Sequence, residues 1–252
     1  MTRVIVHGCS GFMGHVVCDL IRPMEDVEVV AGIDIVDDGS YSFPVFLSPG
    51  DCNVQADAII DFSAAPAVNA VLDLAVRKQI PLVECTTGLS EEQISYLEEC
   101  SKKVAVLRSA NMSLGVNTLF RMVREAARIL GDAGFDIDIV ERHHRRKLDA
   151  PSGTALAFAD AVNEGCDGRY SYVFDRSTRR QARPSDEIGI SAVRGGTIVG
   201  DHEIIFAGTD EVIEFKHTAY SRAVFGKGAV EAAKYLAGKG PGLYNMSHVI
   251  GG

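Results

Sequence analysis

One short apolar run that ends among glycines constrains this chain more than any other feature. Val4, Ile5 and Val6 are followed at once by Gly8, Gly11 and Gly14. A continuous apolar run suits a strand buried on both faces, and glycines just beyond it suit a tight turn into a helix. Residues 11–21 are compatible with a helix that stops near Pro23, and residues 27–33 form a second strand run ending on Asp34. This is the order of a β–α–β unit whose first turn can bind phosphate. The helix N-terminus offers N–H donors and partial positive charge, and the glycines let a pyrophosphate approach the backbone. An acid at the end of strand two is placed to accept hydrogen bonds from an adenosine ribose. The spacing, G-x-x-G-x-x-G, is a variant of the usual fingerprint. Turn glycines that serve packing alone, and an Asp34 that is merely an exposed strand end, remain the alternatives.

The alternation continues. Residues 58–62, 81–85 and 104–107 read as strands, and residues 66–78 and 90–103 as helices, with Ser90 and Gln93 spaced as a capping box. Alternating strands and helices argue for a doubly wound α/β sheet. The pattern changes after Asn111. A helix over residues 114–130 carries a stripe of Leu119, Met122, Val123, Ala126, Ala127 and Leu130. A strand over 137–140, a helix over 151–163 and strand runs at 171–174, 188–193, 197–206 and 212–218 follow. A final helix, 223–236, is expected to return to the first lobe. The reading is a discontinuous Rossmann-like dinucleotide-binding domain, residues 1–113 and 223–252. Inserted in it is an α+β substrate domain, residues 114–222, with a mostly antiparallel or mixed sheet.

Composition narrows the partners. With 46% hydrophobic residues in 252, a real core is available. A net charge of −9 disfavours nucleic acid, whose phosphates attract basic faces. It leaves room for an anionic small molecule bound by a few local cations. The six cysteines form no C-x-x-C pair, and the opening residues run straight into a strand pattern rather than a leader or membrane span. A cytoplasmic protein with reduced thiols and no membrane partner is expected.

The second motif carries the chemistry. Residues 141–154 read Glu-Arg-His-His-Arg-Arg-Lys-Leu-Asp-Ala-Pro-Ser-Gly-Thr, a polar, cationic stretch that ends in a helix start. His143 and Lys147 are candidate proton donors, and Lys147 can also stabilise negative charge. Backbone N–H groups at Gly153 and Thr154 can hold a carboxylate, with Gly153 allowing close approach. Ser152 fits an N-cap or a ligand contact. A solvated basic face would look similar. Adjacent histidines also occur as metal ligands, but no carboxylate or Cys spacing completes such a site, so no metal is expected.

This stretch closely resembles the E-x-H-H-x-x-K-x-D-A-P-S-G-T-A signature of 4-hydroxy-tetrahydrodipicolinate reductases. Residues 8–14, 86–88, 110–117, 193–196, 200–202, 217–222 and 242–244 match the family as well, so the resemblance spans most of the chain. It implies a two-domain enzyme of lysine (diaminopimelate) biosynthesis that reduces a cyclic unsaturated dicarboxylate imine with NADH or NADPH. It further implies a homotetramer built through the second-domain sheet. Carried over by residue, His143 and Lys147 take the catalytic acid positions. His144, Ser152, Gly153, Thr154 and Arg222 take substrate-binding positions. Cofactor positions fall on Gly8, Cys9, Ser10, Gly11, Phe12 and Met13, on Asp34, on Cys85, Thr86 and Thr87, and on Ser109, Ala110, Asn111 and Met112.

The chain departs from the family at three positions. Phe12 stands where a basic residue is common, Cys85 where Gly usually precedes the Thr pair, and Met112 where Phe is usual. The acids Asp34, Asp37 and Asp38, with no Lys or Arg between Arg22 and Arg77, lead to an expected preference for NADH, with NADPH as the second cofactor. Two other readings are a nicotinamide-dependent dehydrogenase of another amino or keto dicarboxylate, and a non-catalytic nicotinamide sensor. The first should lack the His-His–Lys–Ser-Gly-Thr constellation and the second the acid positions, and both features are present.

Overall fold

The structure is a computed structural model that describes residues 1–251. The chain divides into two compact units, Met1–Leu114 together with the chain from Arg222 onward, and Gly115–Ser221. Leu114 and Arg222, expected in the insert, cluster with the first unit. Leu114 packs on that unit's core, and Arg222 is the N-cap of its last long helix.

The first unit begins with β1 (Thr2–His7), α1 (Phe12–Ile21), β2 (Val27–Ile33), β3 (Val45–Phe46) and β4 (Ala58–Asp61). A 3-10 turn, Ala65–Ala67, leads into α2 (Val68–Lys78), so Pro66 serves that turn rather than the helix proper. β5 (Leu82–Glu84), α3 (Glu91–Ser101) and β6 (Ala105–Arg108) follow. The Ser90–Gln93 capping box is formed, each side chain bonding the other's backbone N–H.

The second unit contains α4 (Leu114–Leu130) from its second residue on, then β7 (Asp136–His143), α5 (Gly153–Gly165), β8 (Ser171–Val173), β9 (Glu187–Arg194), β10 (Gly200–Ala207) and β11 (Val212–Ala219). The chain then returns to the first unit through α6 (Ala223–Leu236), β12 (Gly242–Tyr244) and α7 (Met246–Val249). The short β3, β12 and α7 have too few residues to leave a periodic signal.

The first sheet has seven strands in the order β12-β6-β5-β4-β1-β2-β3, all paired in parallel. Parallel strands with helices on both faces must be apolar on both faces. Val4, Val6, Ala58, Ile60, Val83 and Leu107 pack with α1 and α6 on one side. Ile5, Ile59, Leu82 and Val106 pack with α2 and α3 on the other. None of the helices is long and apolar enough to cross a membrane among the described residues.

The second sheet runs β11-β10-β7-β9-β8. It is mixed: β10 pairs antiparallel with β11 and β7, while β7–β9 and β8–β9 are parallel. Of the two forms expected, mostly antiparallel or mixed, the sheet takes the mixed one, with as many parallel as antiparallel pairings. The reason is α5, which separates β7 from the strands that follow and carries the chain back to start them in the same direction. Along β7 burial alternates strictly, so Ile137, Ile139, Glu141 and His143 all point inward. The apolar part of that row meets Val123, Phe158, Ile188, Ile190, Ile204 and Phe206. On α4, Met122 is 48% exposed and does not join the buried stripe, which is shifted toward Val116, Asn117, Val123 and Ala127.

Candidate active site

In the first unit β1 ends at His7 and the chain turns at Gly8 with φ of 77°. A Cβ at Gly8 would lie 2.7 Å from the Phe62 carbonyl oxygen and 2.9 Å from Ser63 N, so only glycine fits. A Cβ at Gly14 would come within 2.1 Å of the Gly8 carbonyl oxygen, which shows how tightly the first turn of α1 sits on the loop. Gly11 caps α1 with no side chain, so the first-turn N–H groups take no side-chain acceptor and suit an anion. A narrow glycine turn and an open helix start are what a pyrophosphate needs.

Asp34 follows β2 and binds the same loop. Its Oδ2 accepts from Ser10 N at 2.9 Å, and Ser10 Oγ donates to the Val36 carbonyl at 2.9 Å. Asp34 Oδ1 holds only a long contact, 3.4 Å, from Val36 N and is the oxygen left to face a ribose. Asp37 and Asp38 accept from Gly39 N and Ser40 N in the following turn, each at 3.0 Å. Phe12 is 64% exposed, and the Arg222 guanidinium lies over its ring at 5.1 Å. Arg222, expected among the substrate-binding residues, therefore stands in the first unit as a cation beside the glycine turn.

Cys85, Thr86 and Thr87 leave the end of β5. Thr86 N donates to Glu84 Oε1 at 2.7 Å, and Thr86 Oγ1 donates to Asp61 Oδ2 at 3.3 Å. Burial, then the carboxyls of Glu84 and Asp61, push the Cys85 thiol well above the ordinary range, so it is a poor nucleophile. Ser109, Ala110, Asn111 and Met112 follow β6. Asn111 Oδ1 accepts from Ser113 N at 2.8 Å, a local turn. Met112 is 5% exposed and belongs to the core beside α6, not to an open cleft wall.

The second unit builds its cluster where the inward row of β7 turns polar. Glu141 is fully buried and accepts four contacts. His143 Nδ1 lies 2.6 Å from Oε2 and Ser152 N 3.0 Å from Oε1, and Arg194 donates through Nη1 and Nη2 at 2.7 Å each. Burial alone opposes the charge on Glu141, but these donors outweigh it and hold its pKa below the ordinary value. Burial lowers the pKa of His143, Glu141 offsets part of that, and the charges of Lys147 and Arg194 add to it. A neutral His143 with Nδ1 against a carboxylate keeps its proton there, leaving Nε2 as the acceptor. Gly200 stands beside Nε2, where a Cβ would come within 3.2 Å.

His202 faces His143 edge-on with ring centroids 5.1 Å apart, and its Nε2 lies 3.0 Å from Ser152 Oγ. Burial, reinforced by His143, brings the pKa of His202 down to about 3, so it is uncharged near neutrality. Ser152 is the N-cap of α5, accepting from Ala155 N at 3.1 Å. With its hydroxyl between Ala155 N and His202, and only 2% exposed, Ser152 organises the helix start rather than presenting itself outward. Gly153 is exposed, and a Cβ there would meet nothing within 4 Å. Thr154 follows in the first turn. Lys147 Nζ pairs with Asp149 at 2.8 Å and is 23% exposed. His144 Nδ1 is enclosed with no partner among the described residues.

The residues expected to act on substrate thus form one group in the second unit, except Arg222. Sequence reasoning gave no role to Glu141, Arg194 or His202. Glu141 was within reach, because residues i and i+2 of a strand share a face and Glu141 lies two before His143. Arg194 and His202 enter only through strand register, as the partners of His143 on β9 and of Glu141 on β10.

Comparison with known proteins places the chain in a family. Residues 2–112 match the family described as dihydrodipicolinate reductase, N-terminus, and residues 115–250 match dihydrodipicolinate reductase, C-terminus. A 4-hydroxy-tetrahydrodipicolinate reductase of Caldanaerobacter subterraneus subsp. tengcongensis is 50% identical over 250 residues, covering 99% of this chain and 98% of the relative. One from Clostridium novyi is 44% identical over 251 residues, with 99% and 98% covered. The dipicolinate-bound dihydrodipicolinate reductase of Paenisporosarcina sp. TG-14 superimposes with a TM-score of 0.79 at 25% identity, covering 97% of each chain. The chain belongs to the 4-hydroxy-tetrahydrodipicolinate reductase family.

Proposed function

We propose that this chain reduces 4-hydroxy-tetrahydrodipicolinate to tetrahydrodipicolinate in the diaminopimelate route to lysine. NADH is the preferred cofactor and NADPH the second, and the enzyme works as a cytoplasmic homotetramer. The observation that carries the reading is the polar end of β7. A buried, ionised Glu141 orients His143 there, with Lys147 and an open helix start at Gly153 in the same unit. A nicotinamide, when bound, supplies hydride. Residues 8–13 and Asp34 would hold the dinucleotide, with Cys85, Thr86, Thr87, Ser109, Ala110 and Asn111 on the nicotinamide side and Met112 backing them from the core. Lys147, held by Asp149, donates the proton that balances the electron density left on the reduced substrate, and His143 Nε2 relays protons to it. The N–H groups of Gly153 and Thr154 hold one substrate carboxylate, and His144 with Lys147 holds the other. Ser152 supports the first of these as N-cap. Arg222 adds positive charge toward substrate or cofactor.

The preference for NADH rests on charge. Asp34, Asp37 and Asp38 follow β2, and the glycine turn carries Phe12 in place of a base. A 2′-phosphate there meets carboxylates, and Arg222 over Phe12 is the counterweight that keeps NADPH usable. The test is kcat/KM for both cofactors at one ionic strength, with substrate generated in situ by the preceding aldol-condensing synthase. NADH should be favoured, and Asp34→Ala should erode the difference. Equal values or a preference for NADPH would overturn the cofactor assignment. Pyridine-2,6-dicarboxylate should compete with substrate, and failure at millimolar concentration would overturn the substrate class.

A further inference from the structure

The carboxyl end of the first sheet carries a polar row that neither the glycine turn nor the second unit accounts for. His7, Asp61, Glu84 and Arg108 are register partners across β1, β4, β5 and β6. By strand alternation they lie on the face of Ile5, Ile59, Leu82 and Val106, which is covered by α2 and α3. His7 is 4% exposed, Asp61 0% and Glu84 1%. Three titratable side chains in a row, buried within an apolar sheet, cost stability unless each is hydrogen-bonded or paired there.

Asp61 is well supplied with donors. Ser63 N donates to Oδ1 at 2.9 Å, Thr86 Oγ1 donates to Oδ2 at 3.3 Å, and His7 Nδ1 lies 2.9 Å from Oδ1, at ion-pair distance but off hydrogen-bond alignment. Glu84 is not. Its Oε1 accepts from Thr86 N at 2.7 Å, while Oε2 is enclosed with no partner among the described residues. The other groups around it offer little help. Cys85 adjoins it, Arg108 on β6 is exposed, and α2 and α3 bring Val68, Val71, Leu72 and Leu97, with Cys100 their titratable group in that core. Burial, and then the Asp61 charge, push Glu84 up to about 9. A proton on Oε2 makes that atom a donor beside an acceptor, which removes both the unpaired atom and the charge repulsion.

The target of these contacts is the loop 85–87. Thr86 is held by its N–H to Glu84 and by its hydroxyl to Asp61, and Cys85 N donates to the Asp61 carbonyl at 3.0 Å. The strand order β2-β1-β4-β5 puts the ribose acid Asp34 at one side and this loop at the other, with the glycine turn between them. A dinucleotide laid across those strand ends therefore brings its nicotinamide half to loop 85–87.

We propose that Glu84 is a positioning residue for the nicotinamide half of the cofactor: protonated, it fixes loop 85–87 from beneath through Thr86 and Asp61. This rests on the dinucleotide reading above and assigns it a residue. Ionisation of Glu84 sets two carboxylates against each other under the loop and loosens it.

The experiment titrates NADH against the full-length protein from pH 7 to 10, following the nicotinamide fluorescence, with ADP-ribose measured beside it by calorimetry. Wild type should hold its NADH affinity to about pH 8 and lose about tenfold by pH 10, one unit above the Glu84 value. Glu84→Gln, which keeps the neutral shape and both contacts, should rescue the alkaline loss. Glu84→Leu, which fills the apolar space but leaves Thr86 N unpaired, should weaken NADH about tenfold at pH 7. ADP-ribose, lacking the nicotinamide, should show neither effect. Parallel alkaline losses in wild type and Glu84→Gln, or Glu84→Leu binding NADH as wild type does, would overturn the proposal. So would an equal effect on ADP-ribose. Absence of NADH binding at every pH would instead sink the dinucleotide reading and this proposal with it.

Discussion

Arg194→Met removes two of the four donors to a carboxylate that has no access to water. Glu141 is 0% exposed and takes both guanidinium contacts at 2.7 Å. Breaking such a pair from one side leaves an uncompensated buried charge, which costs about 3–5 kcal/mol. Arg194 itself is 19% exposed, so the lower figure, roughly 3 kcal/mol, is the better expectation. For a chain of this length that is a fall in Tm of roughly 6–12 °C. The sign with pH follows from the depressed pKa of Glu141. Its stabilising contribution is complete above the ordinary 4.5 and is lost as pH falls through the lower folded value, so the gap between wild type and variant should close in acid. A double variant, Glu141→Gln with Arg194→Met, removes the charge as well as its partner and should recover most of the loss. The catalytic consequence is separate. Arg194 is one of the cations that hold the His143 pKa down, so its removal should move the acid limb of the kcat profile to higher pH. Urea melts followed by circular dichroism at pH 4 and 7.5, with pH–rate profiles, read all of this. A single variant within 1 kcal/mol of wild type at neutral pH, or a double variant no more stable than the single, would refute the reasoning.

Two other perturbations separate chemistry from packing in the second unit. Gly153→Val adds a side chain where nothing lies within 4 Å, so Tm should shift by no more than a degree or two while KM for the dicarboxylate rises about tenfold or more. A collapse in Tm with normal KM would make Gly153 a packing residue. Lys147→Met and His143→Gln should each lower kcat by about 10² with little change in NADH binding, measured by fluorescence titration. Near wild-type turnover in the double variant would remove both from the chemistry.

Much of this molecule was legible in its sequence because its elements are long and periodic. The strand–glycine–helix opening, the Ser90 capping box and the helix start at Ser152 each depend on residues within a few positions of one another, and each formed. What the sequence left open is long-range. The direction of β9 against β7 depends on where α5 carries the chain, and neither strand encodes it locally. Met122 fits a helical stripe by spacing, yet on α4 it is half exposed while Val123 and Ala127 are buried. Arg222 follows Ser221 at the end of the inserted residues, and only the packing of α6 along α1, with Gly226 against Leu20 and Val16, brings it to Phe12. His7, Asp61 and Glu84 are single polar residues closing three apolar runs 77 positions apart from first to last, and only the parallel register puts them in a row.

The two buried glutamates show how surroundings alone decide what a carboxyl does. Glu141 and Glu84 both point inward from a strand, and both are essentially without solvent. Glu141 has a bidentate guanidinium, an imidazole and a backbone N–H, so burial is outweighed and the group stays charged. Glu84 has one backbone N–H and a neighbouring carboxylate, so burial prevails and the group keeps its proton. A charged acid beside an imidazole fixes a tautomer and a ring direction, which a proton-transfer site needs. A neutral acid beside a carboxylate acts as a donor and anchors a loop without adding charge near a dianionic cofactor. Exchanging the surroundings should exchange the behaviour: an arginine reaching Glu84 would lower its pKa, place an ionised pair beneath loop 85–87 and abolish the alkaline transition in NADH binding.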